Sequence, residues 1–230
     1  YRIVLNAPTG TCTSGNNTIM TGAAATGLPT ITRTPMTAQG LAGGFLITAQ
    51  YTGTGAGYPY ILDADGTYVW WFKVGNSVTG ARMSYDGKYM WINAPNVPET
   101  QGATVHRVSM DGMTDENLST QFTGQNHQMT ILPDETVAFY AYSGNGCDDI
   151  KLRSPDGQVR TVINARDAHG ADGACHLNTI QYSPMDQTLV FSDLDHDNYT
   201  KVTLDGDVVW VLGGPTSQFT GAGATWSIQH

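Results

Sequence analysis

Three of the six histidines in the 230-residue chain, His127, His176 and His230, follow one another at similar intervals. The first two are 49 residues apart and the last two are 54 residues apart. Imidazole changes its protonation near neutral pH, so it can act as a nucleophile, as an acid or base, or as a partner for an oxyanion. If the chain repeats with this period, the three side chains converge on one cavity. The alternative is that each histidine is a structural hydrogen-bonding group.

A second set of candidate ligands is the acidic segment after Ser192. Asp193, Asp195 and Asp197 alternate with other residues, as oxygen ligands do in calcium-binding loops. The segment lacks the later glycine and glutamate of an EF-hand, and an aspartate-rich turn between two strands is the alternative interpretation. We therefore expect no required cofactor, with calcium as the metal that this segment could bind.

The remaining titratable residues are predicted to have ordinary roles. Asp148 and Asp149 are interpreted as turn or cap residues, because aspartate is favoured there. His106, His169 and His196 fall outside the repeating position and are interpreted as surface residues.

Three cysteines, Cys12, Cys147 and Cys175, are too few and too widely spaced for a zinc ribbon or a CxxC redox site. Cys147 and Cys175 are 28 residues apart in glycine- and aspartate-rich segments, and they are the preferred disulfide pair in an oxidising compartment. Cys12 is then free or pairs elsewhere.

Aromatic residues suggest a further type of ligand. Exposed aromatic rings together with Asn and Asp are typical of carbohydrate-binding sites, whereas packing between sheets is the alternative role. The residues concerned are Trp70, Trp71, Trp91, Tyr58, Tyr60, Tyr140 and Tyr142.

The elements that position these residues are predicted to be β-strands throughout. Short runs of β-branched and aromatic residues are separated by Asp-Gly or Pro-Asp turns, which is the pattern of β-hairpins. One series of hairpins has its turn glycines at Gly66, Gly112, Gly157 and Gly206, with separations of 46, 45 and 49 residues. A second series, with turns at Asp86, Asp134 and Asp186, alternates with the first. Two hairpins per period give four strands per repeat, which predicts an all-β protein with the β-propeller fold; a β-sandwich is the second choice.

The repeats also predict the domain organisation. Residues 1–40 resemble no repeat and are expected to form an irregular or β extension. Residues 41–230 are expected to form about four blades of a partial propeller, the last one incomplete, because residues 225–230 look like the start of another inner strand. Missing sequence or a partner chain would complete such a propeller, since an open one leaves two sheet faces exposed.

Composition excludes two classes of partner. The formal net charge is -9 and the sequence pI is about 4.8, so the basic surface that nucleic-acid binding needs is absent from the composition. No run approaches the roughly 18 apolar residues of a membrane helix, so no membrane span is expected. Low charge, few cysteines and frequent Thr, Ser, Asn and Gly favour a secreted or periplasmic protein.

Several segments share the residue pattern of one known family. They are Cys175-His176-Leu177-Asn178, Trp210-Val211-Leu212-Gly213-Gly214, Asn126-His127-Gln128, Leu132-Pro133-Asp134, Gln229-His230 and Tyr60-Ile61-Leu62-Asp63-Ala64-Asp65-Gly66. Together, over residues 45–230, they resemble the bacterial arylsulfotransferase family. The resemblance implies a six-bladed propeller that moves a sulfuryl group from an aryl sulfate to a phenol, without a nucleotide donor, through a sulfated histidine.

By position in these motifs, the resemblance implies that His230 is the nucleophile. His127, His176 and Asn178 would bind the sulfuryl oxygens or protonate the leaving phenol, and Asn126 is a further candidate for substrate binding. The chain departs from the family where an arginine is expected and has Asp193 and Asp195 instead.

Three functions therefore remain open. Loss of the arginine favours a non-enzymatic propeller that binds glycans or proteins or belongs to a surface assembly. Three histidines at one repeat position favour the sulfotransferase, or a hydrolase or lyase acting on another anionic substrate.

Overall fold

The structure is a computed structural model that describes residues 4–7, 10–13, 26–32, 44–50, 55–95 and 103–221. The chain divides into two compact units, Tyr1–Thr30 and Ile31–His230, with the boundary ten residues before the one predicted at residue 40. The first unit contains an antiparallel hairpin of β1 (Val4–Ala7) and β2 (Gly10–Thr13). The second unit carries the residues of the candidate site.

The described residues of the second unit form four antiparallel sheets, each built from strands that are consecutive in the chain. Blade 1 contains β3 (Leu46–Gln50), β4 (Tyr58–Leu62) and β5 (Tyr68–Trp71). Blade 2 contains β6 (Gly80–Met83), β7 (Tyr89–Pro95), β8 (Ala103–Ser109) and β9 (Asp115–Asn117). Blade 3 contains β10 (Gln125–Ile131), β11 (Val137–Tyr142), β12 (Asp148–Arg153) and β13 (Val159–Asn164). Blade 4 contains β14 (Leu177–Ser183), β15 (Thr188–Asp193), β16 (Asn198–Thr203) and β17 (Val208–Gly213).

Two short helices connect the later blades. A 3₁₀ helix, Ser119–Gln121, lies between blades 2 and 3. Helix α1 (Ala165–His169) lies between blades 3 and 4, where the Asn164 side chain accepts a hydrogen bond from the Arg166 N–H at its start and Gly170 ends it in a left-handed conformation.

The two predicted series of turns alternate along the chain. The glycine series joins the third and fourth strands of blades 2 to 4, and the aspartate series joins their first and second strands. Gly206 shows why glycine is needed, because its φ is +98° and a Cβ atom there would lie 2.5 Å from the Val162 carbonyl oxygen. Gly66 belongs to the same glycine series and lies between β4 and β5, so these two strands correspond to the third and fourth strands of the other blades. By the same comparison, β3 corresponds to their second strand.

In the part of the chain that the structure describes, three hydrophobic cores lie between successive blades. Strand alternation assigns each side chain to one of them. On β11, Phe139 faces blade 2 and Tyr140 faces blade 4, and both are buried. On β7, Trp91 faces blade 3 while Met90 and Ile92 face blade 1.

The first strands of the blades lie side by side, because β10 contacts both β6 and β14. This arrangement confirms the β-propeller prediction and excludes the β-sandwich. The described residues form four blades instead of the six that the family resemblance implies. The repeat period itself predicted about four blades for this chain. Residues 225–230, predicted to start another blade, lie outside the described residues.

Candidate functional site

His127 and His176 lie together where the first strands of blades 3 and 4 begin. His127 is in β10 and His176 immediately precedes β14. Their ring centroids are 5.5 Å apart and the rings are tilted by 41°. The repeat spacing therefore identified two side chains that meet in space. His230, the third histidine of this series, lies outside the described residues.

The backbone at His127 adopts an unusual conformation, with a φ of +40°. It occupies a register irregularity of β10, between Gln125 and Met129. The Thr79 hydroxyl donates to the His127 carbonyl at 2.6 Å, and the Asn93 side-chain amide donates to the same oxygen. Positive φ at a non-glycine residue costs about 1–3 kcal/mol and persists only where neighbouring groups enforce it. Here the side chains of Thr79 and Asn93 hold the His127 backbone in this conformation and so fix the position of its imidazole.

Both histidines line a cavity of about 140 Å³, called the histidine cavity below. Its other lining residues are mostly polar and come from blades 3 and 4: Asn126, Tyr142, Asp148, Cys175, Leu177 and Asp195. Among the described residues that line it, none is Lys or Arg. Asn178, the other predicted substrate-binding residue, is buried in β14 and is not part of this lining.

Asp148 is a buried acid in this cavity, so its interpretation as a turn or cap residue is wrong. It is the first residue of β12 and shares a strand face with Ile150 and Leu152, which are core residues. Its side chain is almost fully buried, and its Oδ1 atom has no hydrogen-bond partner among the described residues. Burial raises the pKa of Asp148 to about 7; a hydrogen bond from Asn126 opposes this, and the charges of Asp193 and Asp149 add to it. The carboxyl group can therefore hold a proton at neutral pH.

A second buried acid, Asp193, lies at the end of β15 and accepts four hydrogen bonds. Its Oδ1 atom accepts the backbone N–H groups of His176 and Asp195, both at 3.0 Å. Its Oδ2 atom lies 3.1 Å from His169 Nε2 and 2.8 Å from His196 Nδ1. Asp193 therefore fixes the backbone of His176 and Asp195, two residues that line the histidine cavity.

His169 and His196 are consequently not surface residues, as the sequence suggested, since both imidazoles are largely buried against Asp193. His169 accepts the Ala171 N–H at Nδ1, so its proton is on Nε2 and is donated to Asp193. His196 Nε2 lies 3.0 Å from the Asp172 carbonyl oxygen and its Nδ1 faces Asp193, so acceptors lie at both ring nitrogens.

These contacts shift both pKa values toward the charged forms. Burial by itself would raise the pKa of Asp193, but the hydrogen bonds from His169, the His176 backbone and His196 outweigh it and lower the pKa to about 2. Burial by itself would lower the pKa of His196, but the Asp172 carbonyl and Asp193 outweigh it and raise the pKa. Both shifts therefore favour an ion pair between the Asp193 carboxylate and the His196 imidazolium.

The three predicted calcium ligands, Asp193, Asp195 and Asp197, have different surroundings in the structure. The four donors around Asp193 occupy the lone pairs that a calcium ligand would use. Asp195 lines the histidine cavity, and Asp197 is a turn residue with a φ of +50°. A calcium ion at Asp193 would have to displace two imidazoles and two backbone N–H groups.

Another set of metal-type side chains is closer together. The ligand atoms of His169, Cys175, Asp193 and His196 all lie within 4.8 Å of one another. Cys175 is in a disulfide and offers no thiolate, and His169 Nε2 carries a proton. In this state the four residues form a hydrogen-bonded cluster that does not match the deprotonated ligand set of a metal site.

The disulfide joins Cys147 and Cys175, the pair that the sequence favoured. Each cysteine precedes a residue of the histidine cavity, Asp148 in one case and His176 in the other. The bond therefore connects the two blades directly beside the paired histidines.

A larger cavity of about 840 Å³ adjoins this region, because Asp195 lines both cavities. Its lining includes the apolar side chains of Leu212, Pro215 and Phe219. Of the aromatic residues considered above, Tyr142 lines the histidine cavity and is 42% exposed, whereas Trp91, Tyr58, Tyr60 and Tyr140 are buried and serve packing.

The fold and the site together define a β-propeller with a histidine-lined cavity between two blades. No family profile matches the chain, and no curated protein matches it. Among the solved structures that resemble it is TolB from Acinetobacter baumannii, with a TM-score of 0.52 and 19% identity over 73% of this chain and 41% of that one. A putative TolB from Agrobacterium tumefaciens has a TM-score of 0.51 and 17% identity over 74% of this chain and 62% of that one. A protein of unknown function from Bacteroides thetaiotaomicron has a TM-score of 0.50 and 13% identity over 75% of this chain and 44% of that one.

At these identities, the likeness to solved structures shows the fold alone. The chain spans less than two thirds of each of the three proteins. In the part of the chain that the structure describes, no helix has the length and apolar character needed to cross a membrane.

Proposed function

We propose that the protein is an exported, arylsulfotransferase-like propeller that transfers a sulfuryl group through a histidine. The observation that supports this most is that His127 and His176 face each other across 5.5 Å at the wall of one cavity. Two imidazoles at this separation can donate hydrogen bonds to different oxygens of one sulfuryl group. The buried acid Asp148 adds a second type of group that can carry a proton there.

The proposed reaction has two steps, and the resemblance assigns the nucleophile to His230. In the first step an imidazole nitrogen forms a bond to sulfur and the bond from sulfur to the aryl oxygen breaks. In the second step the oxygen of an acceptor phenol displaces the imidazole. His127 and His176 hold the sulfuryl oxygens in both steps, and the apolar part of the larger cavity, with Phe219 and Leu212, receives the aryl ring.

The test is incubation with 4-nitrophenyl sulfate and a phenol acceptor, together with intact and peptide mass spectrometry. We expect nitrophenol release and one sulfuryl group on a histidine-containing peptide. His127→Ala and His176→Ala should each lower kcat/KM by roughly 10²–10³, the usual effect of removing a donor to a developing oxyanion. His106→Ala is the matched control, because His106 contacts Asp115 and does not line the histidine cavity. Absence of both products would contradict the proposal.

A second candidate function is non-enzymatic binding of a glycan. It is favoured by the lining itself, where Asp148, Asp195 and Asn126 offer hydrogen-bond partners for hydroxyls and Tyr142 offers an aromatic face, with no Lys or Arg among the described lining residues. Calorimetry with neutral oligosaccharides, using wild type and Tyr142→Ala, distinguishes the two functions. Saturable binding that the substitution weakens, without any sulfuryl-histidine, would support the glycan-binding function.

Export is supported by the Cys147–Cys175 disulfide, because structural disulfides persist in oxidising compartments. Alkylation of protein from its native source, with and without reductant, should show these two cysteines protected until reduction. The intact mass of the same sample tests whether further sequence or a partner chain completes the propeller.

A further inference from the structure

Asp148 differs from the other groups of the histidine cavity, because it is an acid held away from water. Its residue is 2% exposed, and one carboxyl oxygen has no hydrogen-bond partner among the described residues. Asn126 and His127 face it from β10, Tyr142 from β11, and His176 and Asp195 from blade 4. Asp193 and Asp149 are the acids close enough to disfavour its charge.

The position of Asp148 is fixed on three sides. It pairs with Tyr142 in the register of β11 and β12, and the preceding Cys147 is tied to Cys175. On the same face of β12, Ile150 and Leu152 pack in the core between blades 3 and 4. The strand register, the disulfide and this packing therefore hold the Asp148 side chain among the residues that line the histidine cavity.

We propose that Asp148 is the general acid and base of the histidine cavity. This inference rests on the proposed function. As the bond between imidazole nitrogen and sulfur forms, the bond from sulfur to the aryl oxygen breaks, its electron pair goes to that oxygen, and the oxygen takes the proton of Asp148. In the second step the acceptor phenol attacks sulfur, the electron pair of the bond between nitrogen and sulfur returns to the imidazole, and the Asp148 carboxylate takes the phenolic proton.

The assignment predicts a dependence on the leaving group that a structural role would not produce. Phenolate is a poor leaving group and needs a proton, whereas the nitro group of 4-nitrophenolate already stabilises its charge. We expect Asp148→Asn to lower kcat for phenyl sulfate by roughly 10²–10⁴ and to change kcat for 4-nitrophenyl sulfate far less. Asp156→Asn is the matched control, because Asp156 contacts Ser154 in the turn between β12 and β13 and does not line the cavity. It should leave both rates close to wild type.

Two measurements on the wild type keep the inference testable even if the variant does not fold. Carbon NMR of labelled aspartate carboxyl groups should show one group that titrates near pH 7, and the rate with phenyl sulfate should fall above that pH. Two results would overturn the acid role alone. One is an equal loss of kcat with both substrates in Asp148→Asn. The other is an active wild-type enzyme in which Asp148 titrates near the ordinary pKa of an aspartate. A wild type that transfers no sulfuryl group from either substrate would overturn the proposed function, and the acid role with it.

Discussion

Asp148, Asp193 and the paired histidines show how burial changes what a side chain can do. The two aspartates are similarly buried, but Asp193 accepts four hydrogen bonds, whereas one Asp148 oxygen has no hydrogen-bond partner among the described residues. Hydrogen bonds favour the charged form and burial without them favours the neutral form. The same residue type therefore serves as a fixed anion in one place and as a proton carrier in the other.

Replacing Asp148 by Asn should change stability in a pH-dependent way. The unfolded chain loses the Asp148 proton near its ordinary pKa of 3.8, while the folded chain keeps it until about pH 7. Wild-type stability therefore falls as the pH rises through this window, by up to about 4 kcal/mol, and the variant does not show this loss. Urea denaturation at pH 4 and pH 8 measures the effect. A stability difference between variant and wild type that stays constant with pH would contradict the assignment.

Replacing Asp193 by Asn should destabilise the protein by about 3–5 kcal/mol at pH 6, because the charge is lost and an amide NH₂ group then faces two of the four buried donors. The folded pKa of Asp193, about 2, lies below its ordinary value of 3.8. Its contribution is therefore present above pH 4 and is lost as the pH falls toward 2. The stability difference between wild type and variant should narrow over that range, as measured by denaturation. A gap that widened there would show that Asp193 is not the stabilising anion.

At the scale of elements, the site depends on the irregular register of β10. A regular strand would turn alternate side chains to opposite faces, but the residue pairs Gln125–Ala141 and Met129–Phe139 are separated by an irregularity that contains His127. Blade 2 stabilises this conformation through Thr79 and Asn93. The direction of one catalytic candidate is thus set by a different blade from its own.

Replacing Thr79 by Val should therefore affect both stability and the site. The change removes the hydroxyl that donates to the His127 carbonyl, and we expect a loss of about 1–2 kcal/mol in the free energy of unfolding together with lower activity. Thr161→Val on β13 is the matched control, since Thr161 is exposed, and should stay within about 0.5 kcal/mol of wild type. Equal effects of the two substitutions would show that the irregular conformation does not depend on blade 2.

The Cys147–Cys175 disulfide also connects elements across the site, because it links the segment before β12 to the segment before β14. Replacing Cys147 and Cys175 by Ser opens a loop of 28 residues, which should destabilise the chain by about 3–4 kcal/mol in the chain-entropy description. Cys12→Ser is the control, because it leaves this disulfide intact. Thermal and urea unfolding of both variants check the expectation, and a double variant as stable as wild type would contradict it.

At the scale of the whole molecule, the blades are held together by cores between them. Phe139 lies in the core between blades 2 and 3, where its ring meets Phe122 edge to face with centroids 4.9 Å apart. Blades 2 and 3 each bury one face against the blade before and the other against the blade after, as β11 shows for blade 3. Stability and the alignment of the blade ends therefore depend on the same contacts.

Replacing Phe139 by Ala should destabilise the protein by about 3–5 kcal/mol, because it leaves a cavity between two blades. Val159→Ala is the control, since Val159 is 45% exposed on β13. Denaturant unfolding measures both. A small effect of Phe139→Ala would mean that the packing between these blades contributes little.

The amino-acid sequence alone determined the fold class and the approximate number of repeats, because turn residues and strand alternation are local properties that recur along the chain. It also identified His127 and His176, since side chains at the same place in neighbouring repeats become neighbours in space. The alternation of Asp148, Ile150 and Leu152 contained a signal that Asp148 is buried, but the turn preference of aspartate obscured it.

Only the tertiary structure decided which acids keep a proton and which residues meet around Asp193. His169, Asp193 and His196 come from a helix, a strand end and a turn, and their contacts depend on how blades 3 and 4 pack. A pKa depends on the burial and the donors around a group, and these are contributed by distant parts of the chain. The sequence could place the two histidines at one site, whereas the acid beside them became visible only once its neighbours were in place.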